Sequence, residues 1–102
     1  MDFLFFFEKN KVKDLNNVLS ADSFAQNSFA RVGFVQKDGK SLEEKDGFFV
    51  YFKTEESIGN VLSKKLIDVQ GVEVKGEEKE RIIKKINEQE NQAIEGFGSI
   101  FQ

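Results

Sequence analysis

Hydrophobic positions recur along this chain with two periods, and the switches between them mark its elements. Residues 2 to 8, DFLFFFE, put Phe3, Phe5 and Phe7 on one side and Leu4 and Phe6 on the other. A period of two that is apolar on both faces predicts a strand covered on both sides. KVKDLNNVLSA then sets Val12, Leu15, Val18 and Leu19 at helical spacing, predicting a short first helix. SADSFAQNS reads as a loop with a helical turn. FARVGFVQK predicts a second strand, with Ala30, Val32 and Phe34 on one face and Phe29, Arg31, Gly33 and Val35 on the other. KDGKSLEEKDG is charged, contains glycine and is apolar only at Leu42, so it is the connection of a long hairpin. GFFVYFK follows as a third strand, with Phe48, Val50 and Phe52 on one face and Phe49 and Tyr51 on the other.

Thr54 suits a helix N-cap, and Glu55 and Glu56 suit the positive end of the helix dipole. Ile58, Val61, Leu62 and Leu66 form the apolar stripe of this second helix. IDVQGVEVK predicts a fourth strand with a bulge or bend at Gly71. In GEEKERIIKKINEQENQAIEGFGSIFQ, Ile82, Ile83, Ile86, Ala93 and Ile94 mark a long last helix that Gly96 and Gly98 are expected to stop. Gln89 and Glu90 interrupt its stripe, which means either a partly exposed middle or a polar contact across an interface.

With no linker or repeat to divide it, residues 1–102 form one expected domain. The order strand, helix, strand, strand, helix, strand, helix predicts an α+β fold, a ferredoxin-like βαββαβ two-layer sandwich with an extra C-terminal helix. That topology places the first and third strands at the centre of the sheet, and these are the two strands with aromatics on both faces.

Composition mainly removes chemistry from this picture. The chain has no His and no Cys, so the commonest general base, thiolate nucleophiles, disulfides and sulfur-ligated zinc are all absent. With 15 basic against 18 acidic residues and no basic run, broad binding to a phosphate backbone is disfavoured. FLFFF follows an acid, lacks a basic leader and is too short for a signal core or a membrane span, so a cytoplasmic location and no membrane partner are the expectation. QKDGK lacks the repeated oxygen ligands of a calcium loop, and the GFG at 96 to 98 follows a helix where a phosphate cradle would precede one. The acidic pairs Glu43 and Glu44, Glu55 and Glu56, and Glu77 and Glu78 read as solvated, and Ser63 and Lys64 as an exposed helix edge. No coherent catalytic set emerges, and no cofactor is expected.

One stretch carries a family resemblance. GFFVYFKTEESIGNVLSKKLIDVQGVEV, within residues 46–74, resembles the second half of an RNA-recognition motif, in which an aromatic third strand leads into a helix and a valine-rich strand. Aligned at the C-terminal end of that motif, Phe49, Val50 and Phe52 fall on its later aromatic, aliphatic and final aromatic positions, so the resemblance implies that Phe49 stacks on bases. Gly47 stands where the other stacking ring belongs, Phe48 replaces a small residue, and no basic residue begins the motif. Leu4 to Phe7 imitate the first-strand motif only loosely. The last helix is also similar in character to the tails of small archaeal two-layer sandwich proteins, with no motif to transfer.

Phe48, Val50 and Phe52 belong under the helices, which leaves Phe49 and Tyr51 on a face that needs a cover. Three covers are open: the chain's own last helix, with Phe97, Ile100 and Phe101 docking after the glycines; a second subunit; or stacked bases. The leading expectation is a non-enzymatic domain working through protein contacts, including contacts with itself, with Phe49, Tyr51, Phe97 and Phe101 as anchors. The alternative is single-stranded nucleic-acid binding by stacking on Phe49, Tyr51 and one of Phe5 or Phe7.

Overall fold

The aromatic strands do form the middle of a four-stranded antiparallel sheet. In the computed structural model, which describes residues 1–21 and 28–101 and their side chains as far as Asn91, β1 (Asp2–Phe7) pairs with β3 (Phe48–Lys53) in a register that sets Phe5 opposite Val50 and Phe6 opposite Phe49. The strands β2 (Val35–Asp38) and β4 (Val72–Glu73) flank them in the order β2-β3-β1-β4. With α1 (Val12–Ser20) and α3 (Glu56–Asp68) between the strands and α4 (Gly76–Phe101) after them, this is the ferredoxin-like βαββαβ sandwich with one extra C-terminal helix.

Each face of the sheet closes its own core. Under α1 and α3, the rings of Phe3, Phe5, Phe7 and Phe52 pack with Val50, Leu15, Leu19, Leu62 and Leu66. Phe3 stacks on Phe52 at 5.0 Å, and Phe29 meets Phe52 edge-on at 5.4 Å. Each such ring contributes about 1.5 to 3 kcal/mol relative to an exposed one. Gly59 lets α3 come this close: a Cβ there would lie 2.1 Å from the ring of Phe3.

Several local expectations are corrected. Residues 29–37 do not form one strand, because Phe29–Val32 is a helical turn, α2, in which Ser28 Oγ accepts from Arg31 N at 3.2 Å. Gly33 then turns the chain at φ 85, and the strand starts only at Val35. The alternation of apolar residues fitted both readings, and the cap decided for the turn. Thr54 is not the N-cap of α3. Its N–H donates to Met1 O at 3.1 Å and its carbonyl accepts from the Met1 amine at 2.8 Å, extending the β1 pairing, and Glu55 takes the cap position. Val61 is 41% exposed, outside the α3 stripe.

The predicted fourth strand loses its first half to α3, which runs to Asp68 and leaves Ile67 52% exposed. Gln70 N and Gly71 N then close the helix end onto the carbonyls of Ile67 and Leu66, at 2.9 and 2.8 Å. Gly71 belongs to this turn and is not a strand bulge. Finally, Gly96 and Gly98 do not stop α4, which continues to Phe101; glycine in a helix costs about 1 kcal/mol but breaks no hydrogen bond. Most of the expected turn in residues 20–28, and the side chains of Ala93, Ile94, Phe97, Ile100 and Phe101, lie outside the described residues.

Candidate functional site

The sheet face that holds Phe49 and Tyr51 is covered by α4. Register puts Leu4 and Phe6 of β1 beside Phe49 and Tyr51 of β3, and the rings of Phe6 and Phe49 lie 5.1 Å apart at a tilt of 56°. Onto this platform α4 lowers Ile82 and Ile86, with Ile83 at the margin, while Val74 and Leu42 close the sides. Leu42, the one apolar residue of the hairpin connection, is delivered by a 3-10 turn over Gly39–Leu42, in which Asp38 Oδ1 accepts from Lys40 N at 2.9 Å.

Polar contacts fasten α4 to the hairpin. Arg81 donates to both carboxylate oxygens of Glu44, at 2.9 and 3.1 Å, and Lys85 donates to Glu44 Oε2 at 2.6 Å and to Leu42 O at 3.0 Å. Hydrogen bonds from Arg81, then from Lys85, outweigh desolvation and hold the Glu44 carboxyl down at about 2. Gln89 Nε2 donates to Ser41 O at 2.8 Å, and Glu90 pairs with Lys37 at 2.8 Å. The two residues that interrupt the apolar stripe are therefore polar anchors within the chain.

The sequence-predicted site residues separate into three groups. Phe49 is 0% exposed beneath α4, so a base reaches it only if the helix lifts. Tyr51 is half-buried and donates to Asp2 Oδ1 at 2.8 Å; desolvation first, then this hydrogen bond, push its phenol up to about 12. Phe5 and Phe7 lie on the opposite face, fully buried against α1 and α3, and cannot share a stacking platform with Phe49. Phe97 and Phe101 lie outside the described side chains.

Gly47 has a steric reason. At φ 143 its hypothetical Cβ would stand 2.5 Å from Phe7 O and 2.6 Å from the Phe6 ring, so the second aromatic of the base-reading pattern has no room there. Ser63 departs from the exposed helix edge expected of it: among the described residues its hydroxyl is buried and without a hydrogen-bond partner, a base included.

Other surfaces were not legible in the sequence. A groove of about 740 Å³ runs along one flank of α4, between Met1 and Asp2 at one wall and Lys79, Ile83, Lys84 and Asn87 at the other. A smaller cleft of about 250 Å³ opens beyond the other end of the aromatic platform, between Phe6, Lys45 and Gln70. Among the described residues, no helix is long and apolar enough to cross a membrane, and no three acidic residues group as a metal site. In comparisons with known proteins, no family model, no curated protein and no solved structure matched the chain.

Proposed function

We propose that this chain is a small non-enzymatic binding module that works through protein contacts, and that it pairs with a second copy of itself through the C-terminal part of α4. The observation that carries this reading is the length of that helix. Its 26 residues span about 39 Å at 1.5 Å per residue, whereas the outer strands of a four-stranded sheet are separated by about 14 Å. Its described anchors to the sheet and hairpin fall between Arg81 and Glu90. The ten residues of α4 that follow Asn91 still carry Ala93, Ile94, Phe97, Ile100 and Phe101. A non-enzymatic role is supported by the state of Glu44, whose proton affinity is the most strongly lowered among the carboxylates of the described residues: held ionised by two cations, it is a poor acid and a poor base at neutral pH.

Sedimentation of the full chain across micromolar concentrations tests the reading. A mass of twice 11.7 kDa is expected, falling to one chain when Phe97 and Phe101 are both changed to Ser. A single-chain mass throughout, or a dimer indifferent to both changes, overturns it.

One observation favours a second reading. The adjacent rings of Phe6 and Phe49, on the two central strands, would make a stacking platform for single-stranded nucleic acid once α4 is lifted. Mixed RNA and DNA oligomers at low salt should then bind a chain truncated before α4, if it remains folded, more tightly than the full chain. Failure of the full chain and the folded truncation to bind removes this reading.

A further inference from the structure

The cleft beyond the platform is walled by Phe6, Glu8, Lys11, Lys45, Gln70 and Val72. Its apolar lining is Val72, which is 59% exposed on the edge strand, and the rim of the Phe6 ring, which is only 7% exposed. Val72 pairs with Phe6 across the sheet, so the two side chains stand on the same face.

Around this lining stand polar groups without hydrogen-bond or ion-pair partners among the described residues. The Lys45 ammonium sits 4.1 Å from the centroid of the Phe6 ring, a cation–π contact that fixes a positive charge over the cleft. Among the described residues, neither Lys45 nor Lys11 has a carboxylate within 4 Å, and the Gln70 carboxamide makes no hydrogen bond.

Gln70 is a second, independent pointer. It occupies the residue after the α3 C-cap with φ 70, the left-handed position at which glycine closes helices without strain. A helix end needs no side chain there. Gln70 accepts the strained backbone and lines the cleft, and such strain concentrates where a side chain has work to do.

We propose that this cleft binds a carboxylate carried on an apolar body, either a free organic acid or the C-terminal residue of a peptide. Lys11, Lys45 and Gln70 supply two ammonium groups and a carboxamide to the lining, and with Glu8 it carries a net charge of about +1, which suits a monoanion better than a phosphate dianion. The apolar half of the ligand lies on Val72 and the exposed rim of Phe6. A volume of 250 Å³ falls just below the roughly 300 to 1,000 Å³ of drug-sized sites, so the cleft admits one such group and no large cofactor. The cleft lies outside α4, so this inference stands or falls separately from self-association.

The test is amide-resolved NMR titration of the full chain with N-acetylphenylalanine, its carboxamide and inorganic phosphate. Shifts confined to Phe6, Lys45, Gln70 and Val72 are expected with the acid, with binding about tenfold weaker for the carboxamide, the loss of one charge-assisted contact. A peptide ending in Phe that binds more tightly than the free acid identifies chain ends as the source, and equal affinity identifies the free acid. Lys45→Gln and Lys11→Gln should each weaken the acid by about tenfold. Gln70→Gly should raise the melting temperature while weakening the acid, a combination that a merely structural residue does not produce. No shifts with the acid, equal binding of the carboxamide, phosphate binding as tightly as the acid, or unchanged affinity in Gln70→Gly overturns the proposal.

Discussion

Replacing Glu44 with Gln keeps the shape of the side chain and removes its charge, and so isolates what the ion network contributes to the docking of α4. The carboxyl is held at about 2 against an ordinary 4.5, which corresponds to at most about 3 kcal/mol of folding stability if the unfolded chain titrates normally. Glu44 is itself only 11% exposed, but Arg81 is 53% exposed and Lys85 32%, so solvent screens both partners and about 1 to 2 kcal/mol is the realistic share. The sign follows from the lowered value. The contribution is fully present above pH 4.5 and is lost as the pH falls towards 2, with about half or less remaining at pH 3. Paired urea unfolding curves of the native chain and Glu44→Gln measure it directly. The variant should be weaker by that amount at pH 7, equivalent to about 5 to 10 °C in melting temperature, and the gap should shrink at pH 3 and in 1 M salt. Amide exchange in the first half of α4 should quicken in the variant, because Arg81 and Lys85 lose their common acceptor. A gap that stays constant from pH 7 to pH 3 would mean that Glu44 acts through packing. No gap at pH 7 would mean that the network contributes nothing.

Two further outcomes follow from the same face of the sheet. Ile86 is fully buried over the Phe6 and Phe49 rings, so Ile86→Ala should cost about 2 to 5 kcal/mol in urea unfolding, whereas Lys84→Ala on the exposed side of the helix should stay within about 0.5 kcal/mol. The single tyrosine and the absence of tryptophan make Tyr51 readable by ultraviolet titration. Its phenolate should appear near pH 12 in the folded chain, and in Asp2→Asn at a lower pH that still exceeds 10, because desolvation is the larger cause and survives the change. Since its proton affinity is raised, Tyr51 stabilises the fold below pH 10 and loses that contribution as the pH rises through about 12. A midpoint unchanged by Asp2→Asn would show that the carboxylate plays no part.

The sheet was legible because its signal is local. Phe3, Phe5 and Phe7 against Leu4 and Phe6, and Phe48, Val50 and Phe52 against Phe49 and Tyr51, are period-two patterns that sort onto the two faces whatever covers them. Where two periods fitted the same residues, the pattern failed. Ala30, Val32 and Phe34 alternate, yet Ser28 turns the first part into a helical turn, and Ile67 and Val69 look like a strand while the hydrogen bonds of α3 run through Asp68. The polar half of the site left no trace, because Glu44 and Arg81 stand 37 residues apart in a chain where a third of the residues are charged.

Gly47 joins these points. As a sequence letter it was only the absence of the second stacking ring, and its place in the fold supplies the cause: the backbone there runs so close to Phe6 that a side chain has no space. That close approach buries the edge of the Phe6 ring beside Phe49, while Lys45 takes its other side. At this end of the platform the Phe6 ring is thus closed over by Gly47 and the Lys45 ammonium except for a thin rim, which the strained Gln70 borders. A base-stacking surface needs flat rings open to solvent. Phe6 offers only a thin exposed rim beside the Lys45 ammonium, a setting suited to one anionic group beside one apolar one. The opposite half of the same face, under Ile82 and Ile86, is buried. One sheet face thus carries two distinct surfaces, and the glycine sets the boundary between them.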